Sequence, residues 1–280
     1  FVANTHSYIL FFTDKGKCYW VKVYDIPEGG RAAKGRAIVN LIGCEPDEKV
    51  SAFISVKEFN DDHFVVMATE KGIVKKTKLS AYSNPRKKGI YAVEIRDGDK
   101  LIEARVSTGD NDILLGTRNG KSIRFSEEQI RPSGRKTMGV KGITLSSKDD
   151  RLVGMLLIKR EGTTVLVATE KGFGKRTEIS QYRAQKRGGK GVLTMKTTDK
   201  VGKMVTIKEV VDKDDLMIIT NQGVLIRQPV SQIRAIGRAT QGVKLIKLGE
   251  GTLVSSITRI MSEEDDGDEN NSAEPEGSSE

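Results

Sequence analysis

The chain has 280 residues, of which 37% are apolar, 5% aromatic and 30% charged, and its formal net charge is +9. No apolar run nears the ~18 residues of a membrane span, and Phe1-Val2-Ala3-Asn4 has neither the basic nor the apolar part of a secretion signal. Cys18 and Cys44, with the distant His6 and His63, make no disulfide framework and argue against a metal centre; free thiols of this kind suit a reducing cytosol.

The chain is expected to open at Phe1-Val2-Ala3 near the end of a strand that begins upstream. The run Tyr8-Ile9-Leu10-Phe11-Phe12 then leads into Thr13-x-x-Gly16 and a second alternating run, which is a hairpin signal. The same Thr-x-x-Gly returns at Thr69–Gly72, Thr117–Gly120, Thr169–Gly172 and Thr220–Gly223, each behind an apolar, β-branched run and 48 to 56 residues after the last. A second glycine follows each of the first at 17 to 19 residues: Gly35, Gly89, Gly139, Gly191 and Gly242. Short strands are predicted beyond it, as at Ala37–Leu41 and Val243–Ile246. About four strands in about 50 residues match a propeller blade. The predicted fold is therefore all-β, a propeller-like ring of about six four-stranded blades, with five complete in this chain and occupying residues 1–261. No long helix is predicted; Ser126–Ile130 reads as one turn behind a Ser cap. Residues 262–280 are expected to be disordered. Nine of the 38 acidic residues lie in that tail, which has no Lys or Arg, so the body's positive excess is twice that of the whole chain. A basic body with an acidic tail points to a polyanion partner and an intramolecular competitor for it.

Cations gather around the second glycine in every unit: Arg31, Lys34 and Arg36; Arg86, Lys87 and Lys88; Arg135, Lys136 and Lys141; Arg183, Lys186, Arg187 and Lys190; Arg234, Arg238 and Lys244. The densest stretch is Gln185-Lys186-Arg187-Gly188-Gly189-Lys190-Gly191, where glycines bring the backbone close to a partner and leave N–H groups free to form an anion-binding nest. A second series stands four places after each hairpin glycine: Trp20, Lys76, Arg124, Arg176 and Arg227, with Lys75 and Lys175 beside two of them. An outward strand position in any soluble propeller also carries Lys or Arg, and the two readings weigh equally for this series. Loops repeated in register would make a positive track suited to the phosphates of a long duplex. No recognition helix or repeated aromatic platform is evident, so sequence preference is expected from DNA deformability alone, and duplex is favoured over single strands. No nucleophile–base set and no Walker-type phosphate loop is present, so neither catalysis nor an ATP site is expected in this segment. A propeller docking acidic proteins is the reading from a different class.

The Gln185–Gly191 stretch resembles the box motif in the C-terminal domain of the DNA gyrase A subunit, of usual form Gln-Arg-Arg-Gly-Gly-Lys-Gly; only Lys186 differs. Phe1–His6, Lys22-Val23-Tyr24, Lys34–Leu41 and Gly237–Val243 are similar to the same family. The resemblance implies a six-bladed β-pinwheel with duplex DNA wrapped on its basic rim. The wrap would feed a transported segment to a type IIA topoisomerase that introduces negative supercoils by ATP-driven strand passage. It also implies a bacterial, cytoplasmic and nucleoid-associated A2B2 holoenzyme, with the B subunit carrying the ATPase, ATP and Mg2+ used elsewhere, and the breakage-reunion domain of the A subunit lying upstream. The family's principal box lies upstream of the position matching Phe1, and Gln185–Gly191 occupies a later unit where some members carry a second copy. The domain of topoisomerase IV is the close alternative, against which the intact spelling of the box argues. The acidic tail resembles the family's variable terminus.

Overall fold

A computed structural model describes residues 3–30, 33–35, 37–159 and 162–260; the expectations for Phe1, Val2, Arg31, Arg36 and the acidic tail lie outside them. The first hairpin joins β1 (Tyr8–Thr13) to β2 (Lys17–Lys22), and after a short helix α1 (Ile38–Ile42) the strand β3 (Val50–Val56) returns beside β1. The second unit gives β4 (Phe64–Thr69), β5 (Ile73–Lys78), β6 (Ile90–Tyr91) and β7 (Leu101–Ser107). The third gives β8 (Asp112–Thr117), β9 (Lys121–Ser126), β10 (Val140–Lys141) and β11 (Leu152–Ile158). The fourth gives β12 (Thr164–Thr169), β13 (Phe173–Glu178), β14 (Val192–Leu193) and β15 (Met204–Val210). The fifth gives β16 (Asp215–Thr220), β17 (Leu225–Pro229), β18 (Val243–Lys244) and β19 (Val254–Ile260).

The five hairpins fall where the Thr-x-x-Gly pattern places them. In each, the glycine N–H donates to the threonine carbonyl, as from Gly72 to Thr69 O at 2.9 Å. The threonine hydroxyl accepts from the residue after the turn in most of them, as from Ile73 N at 3.2 Å. The blades, however, are not built from consecutive strands. Their orders are β3-β1-β2-β6, β7-β4-β5-β10, β11-β8-β9-β14 and β15-β12-β13-β18, with β19-β16-β17 in the fifth. Each two-residue outer strand is donated backward, to the blade before its own. Four sheets thus have four strands, and the fifth has three among the described residues.

The long strands β3, β7, β11, β15 and β19 are the inner edges, and each packs on the next. The core lies between blades rather than within them. Leu10, Phe12 and Val56 meet Val65, Met67 and Tyr82 across the first joint, and Val66, Ala68 and Val74 meet Ile113, Ile123 and Phe125 across the second. Leu114 and Leu156 meet Val165, Val167 and Tyr182 across the third, and Leu166 and Ala168 meet Leu216 and Ile218 across the fourth. Each aliphatic side chain so buried contributes roughly 1.5–3 kcal/mol, so no blade is stable without its neighbour.

One expected strand, Ala37–Leu41, is instead part of α1. Its counterparts β6, β10, β14 and β18 are strands because each pairs with the outer hairpin strand of the preceding blade. Ile42 then packs on Ile9, Phe11, Tyr19 and Val21, covering the free apolar face of the first blade. The single turn expected at Ser126 is a 3-10 turn, Glu127–Gln129, with the Ser126 hydroxyl accepting from Glu128 N at 3.2 Å.

From the second unit on, the second glycine presses against the outer hairpin strand of the blade before, whereas Gly35 of the first unit has nothing within 4 Å of an added Cβ. Gly191 has φ +69°, and a Cβ there would lie 2.3 Å from the carbonyl oxygen of Ser122. Gly191→Ala is therefore expected to destabilise the chain by about 2 kcal/mol or more, through strain and a displaced strand. Gly134→Ala, at a position with nothing within 4 Å of the added atom, should be near neutral. Urea unfolding of the two variants beside the parent checks the contrast.

Candidate nucleic-acid interface

Between its 3-10 turn and its donated strand, each unit runs a loop along the outer edge of the preceding blade. Residues 83–89 lie over the first blade, 131–139 over the second, 183–191 over the third and 234–242 over the fourth. Backbone bonds fix the last three in the same way: Ser133 N donates to Lys76 O at 2.9 Å, Gln185 N to Arg124 O at 2.8 Å and Ile236 N to Arg176 O at 2.9 Å. The loops also join one another's neighbours. Gly188 N donates to Gly142 O at 2.6 Å, Thr144 N to Gly189 O at 2.8 Å, Glu94 N to Thr137 O at 3.1 Å and Lys196 N to Thr240 O at 3.1 Å. The outer rim is thus one interlocked belt across four blades.

The belt's exposed cations are Arg86, Lys87 and Lys88, then Lys136 and Lys141, then Arg183, Lys186 and Lys190, then Arg234 and Lys244, with Lys34 exposed ahead of the first blade. None of the four loops contains a carboxylate. Arg131, which the sequence reading passed over, is exposed in the second loop. Arg187 is half-buried and serves the loop itself. Its Nε donates to Gln129 O at 2.9 Å and its NH1 to Lys141 O at 3.1 Å, while its backbone N–H donates to the Gln129 side chain at 2.9 Å. Arg238 repeats the arrangement one unit on, with its backbone N–H on the Gln181 side chain at 3.3 Å and its NH1 on Leu193 O at 2.6 Å. Gln129 and Gln181 were missed from sequence, although a glutamine recurs nine places after the hairpin glycine at Gln129, Gln181 and Gln232. Arg135 is half-buried at the equivalent place. Gly188 and Gly189 provide the tight turn that lets the loop reach Gly142 and Thr144.

The series four places after the hairpin glycine belongs to the joints, and its cations are not all at the rim. Trp20 Nε1 donates to Tyr82 O at 2.9 Å. Lys76 is buried, 2.8 Å from the buried Glu127 carboxylate and 3.1 Å from Gly109 O. Arg124 holds Asp112 at 2.6–2.7 Å and reaches Ile179 O and Tyr182 O in the next unit at 3.2 Å. Arg176, also buried, donates to Ile233 O at 2.6 Å and pairs with Asp212. Arg227 pairs with Asp215 at 2.6 Å and is exposed. Strand positions at a blade edge face the next blade, so Trp20, Lys76, Arg124 and Arg176 point into the joint and hold the following 3-10 turn, whereas Arg227 stays on Asp215 of its own blade.

Lys75 and Lys175 sit deeper still, with 1% and 0% of their surface exposed. Burial holds their ammonium groups well below the usual lysine range, Lys75 at about 7 and Lys175 at about 8, with Arg135 and Arg238 respectively adding repulsion. The unfolded lysines remain charged at pH 7–8.5 while the folded ones lose protons, so unfolding takes protons up and stability rises with pH across that window. Above about pH 9 the buried Cys18 thiol, which stays protonated only in the folded chain, opposes this rise, and the two lysines stop contributing once their unfolded counterparts lose protons near pH 10.5. Urea titrations at pH 7 and 8.5 should show the rise, and Lys75→Met with Lys175→Met should flatten it.

A family model described as the DNA gyrase C-terminal domain, a β-propeller, matches the chain over residues 7–57, 63–108, 111–159, 163–210 and 214–260. The DNA gyrase A subunit of Staphylococcus epidermidis (ATCC 12228) is 46% identical over 264 residues, covering 94% of this chain and 30% of that protein. Its counterpart in Staphylococcus aureus MRSA252 is 44% identical over 268 residues, covering 95% and 30%. The chain therefore spans about 30% of the length of the curated relatives it matches. Among solved structures, the C-terminal domain of DNA topoisomerase IV superposes with a TM-score of 0.85 at 25% identity, over 92% of this chain and 80% of that one. The DNA gyrase A C-terminal domain superposes at 0.79 and 23% identity, over 92% and 84%, a likeness of fold. The five matched segments coincide with the five repeat units, and the chain belongs to the DNA gyrase C-terminal domain family.

Proposed function

We propose that this chain binds duplex DNA along its outer belt and bends it around the blades, as the wrapping domain of a DNA gyrase A subunit. The carrying observation is the interlocked rim of four carboxylate-free loops with exposed cations on each. Charges fixed at the blade repeat suit a phosphate chain that follows a curve. Fixed loops also bind without first being ordered. In this reading the bent duplex feeds a transported segment to a breakage-reunion domain in the same polypeptide. ATP-driven strand passage with the B subunit, in an A2B2 bacterial enzyme of the cytoplasm and nucleoid, then yields negative supercoils. ATP and Mg2+ act elsewhere in that enzyme. The 44–46% identity to gyrase sequences supports gyrase over topoisomerase IV.

Lys186 and Lys190 are the box cations left free by the fold, so the Lys186→Ala/Lys190→Ala pair is the informative variant. The slope of log affinity against log salt should become shallower by about 0.9 for each phosphate no longer neutralised, and bending of a linear duplex should weaken. An unchanged slope and bend would remove the box from the binding path. Supercoiling of relaxed plasmid by the reconstituted holoenzyme tests the gyrase reading itself.

A further inference from the structure

Three places after the hairpin glycine the five units carry Tyr19, Lys75, Ile123, Lys175 and Ile226. Ile123 is fully buried in the third blade, so a blade of this fold accepts an apolar residue there, and the sheet itself does not require an ammonium group. Burying one is costly unless its donors are satisfied. Lys75 Nζ donates to Arg135 O at 2.5 Å and to Ala92 O at 2.7 Å. Lys175 Nζ donates to Gly237 O at 2.7 Å, to Arg238 O and to Thr240 Oγ1 at 3.1 Å. In both cases the acceptors include the backbone of the rim loop overhead. The loop over Ile123 has the Gly188-Gly189 turn, anchored on Gly142 and Thr144, and rests directly on the isoleucine, whose Cδ1 lies 3.4 Å from a Cβ placed at Gly189. Loops 131–139 and 234–242 have no such double glycine.

We propose that Lys75 and Lys175 are positioning residues for polyanion binding: each draws carbonyl oxygens of its rim loop down into the blade, fixing the loop before any phosphate arrives. Those negative dipole ends are thereby withdrawn from the surface that carries Arg131, Lys136 and Arg234. The two lysines act from beneath and never meet the phosphate. The inference rests on the DNA-binding reading above, but its structural half does not need DNA to be tested.

The test uses Lys75→Met, Lys175→Met and Thr240→Val in the 280-residue chain. Hydrogen exchange without DNA should show faster opening of the loop above each altered site, by about tenfold for the lysine variants, an amount equivalent to one good hydrogen-bond anchor. Strands and the 183–191 loop should be unchanged. With a linear duplex, affinity should fall several-fold and the salt slope should become shallower, although amine-reactive labelling finds Lys75 and Lys175 of the parent equally unreactive with and without DNA. Unchanged loop exchange overturns the proposal, as does faster exchange with undiminished affinity. Lysines that label freely and become protected by DNA would be direct contacts, which also overturns it. If the parent fails to bind the duplex at all, the DNA-binding reading falls, and with it the proposed role in binding, while the exchange data still report on loop locking. Should the methionine variants fail to fold, Thr240→Val removes an acceptor of Lys175 without touching the buried charge and decides the matter for that loop.

Discussion

The structure depends on the joint between adjacent blades, and both glycines of the repeat serve it. The hairpin glycine offers its carbonyl to two N–H groups of the following unit, as Gly120 O accepts from Thr194 at 2.8 Å and Met195 at 3.1 Å. The second glycine lays the donated strand against the outer hairpin strand at a distance no side chain would permit, as at Gly139 and Gly242, where a Cβ would lie 2.5 Å from a carbonyl oxygen. Apolar residues fill the joint from within, and Trp20, Lys76, Arg124 or Arg176 reaches across it from the strand edge. Backbone is thus donated backward while side chains grip forward, and each blade is incomplete without the next.

This joint also sorts the charges. A cation on an outer hairpin strand faces the neighbouring blade and is drawn into a buried pair such as Lys76–Glu127 or onto carbonyls. A cation on the loop that follows the 3-10 turn has no blade above it and stays in water. Two sets of Lys and Arg in the same repeat therefore end in different dielectric surroundings, one costly to bury and held by partners, the other free to be screened by salt or by a phosphate. Arg187 and Arg238 stand between the sets, on loops but turned back onto carbonyls through the glutamine of the preceding unit.

Most of the repeat plan was legible in the sequence because it is local. Thr-x-x-Gly between apolar runs specifies a hairpin without reference to anything distant, and the five hairpins stand where it places them. Strand exchange between blades was not legible, since two-residue strands such as Val192-Leu193 carry no periodicity and their partners lie some 70 residues away, at Ser122 and Lys121. Ala37–Leu41 likewise reads as a strand by likeness to its sister segments, whereas Ile38–Ile42 is helical. The basic loops could be found by spelling. Which of their cations are free could not, because Arg187 and Lys186 differ only in what lies beneath them. Lys75 beside Lys76 shows the limit most sharply: alternation assigns adjacent residues to opposite faces, yet both are buried, since a blade edge between two neighbours has no solvent face.

A belt assembled in this way has its charge spacing set by the blade repeat rather than by any side chain's reach. Its loops are tied to one another, Gly188 to Gly142 and Thr240 to Lys196, so shifting one cation shifts a segment of rim. Such a surface is matched to a partner that is itself periodic, negative and continuous, and it is poorly matched to a compact ligand that would touch one loop alone. It offers long flexible cations in place of a helix or ribbon that could enter a groove. The joints that make the fold stable are the same ones that set the spacing of these loops along the rim.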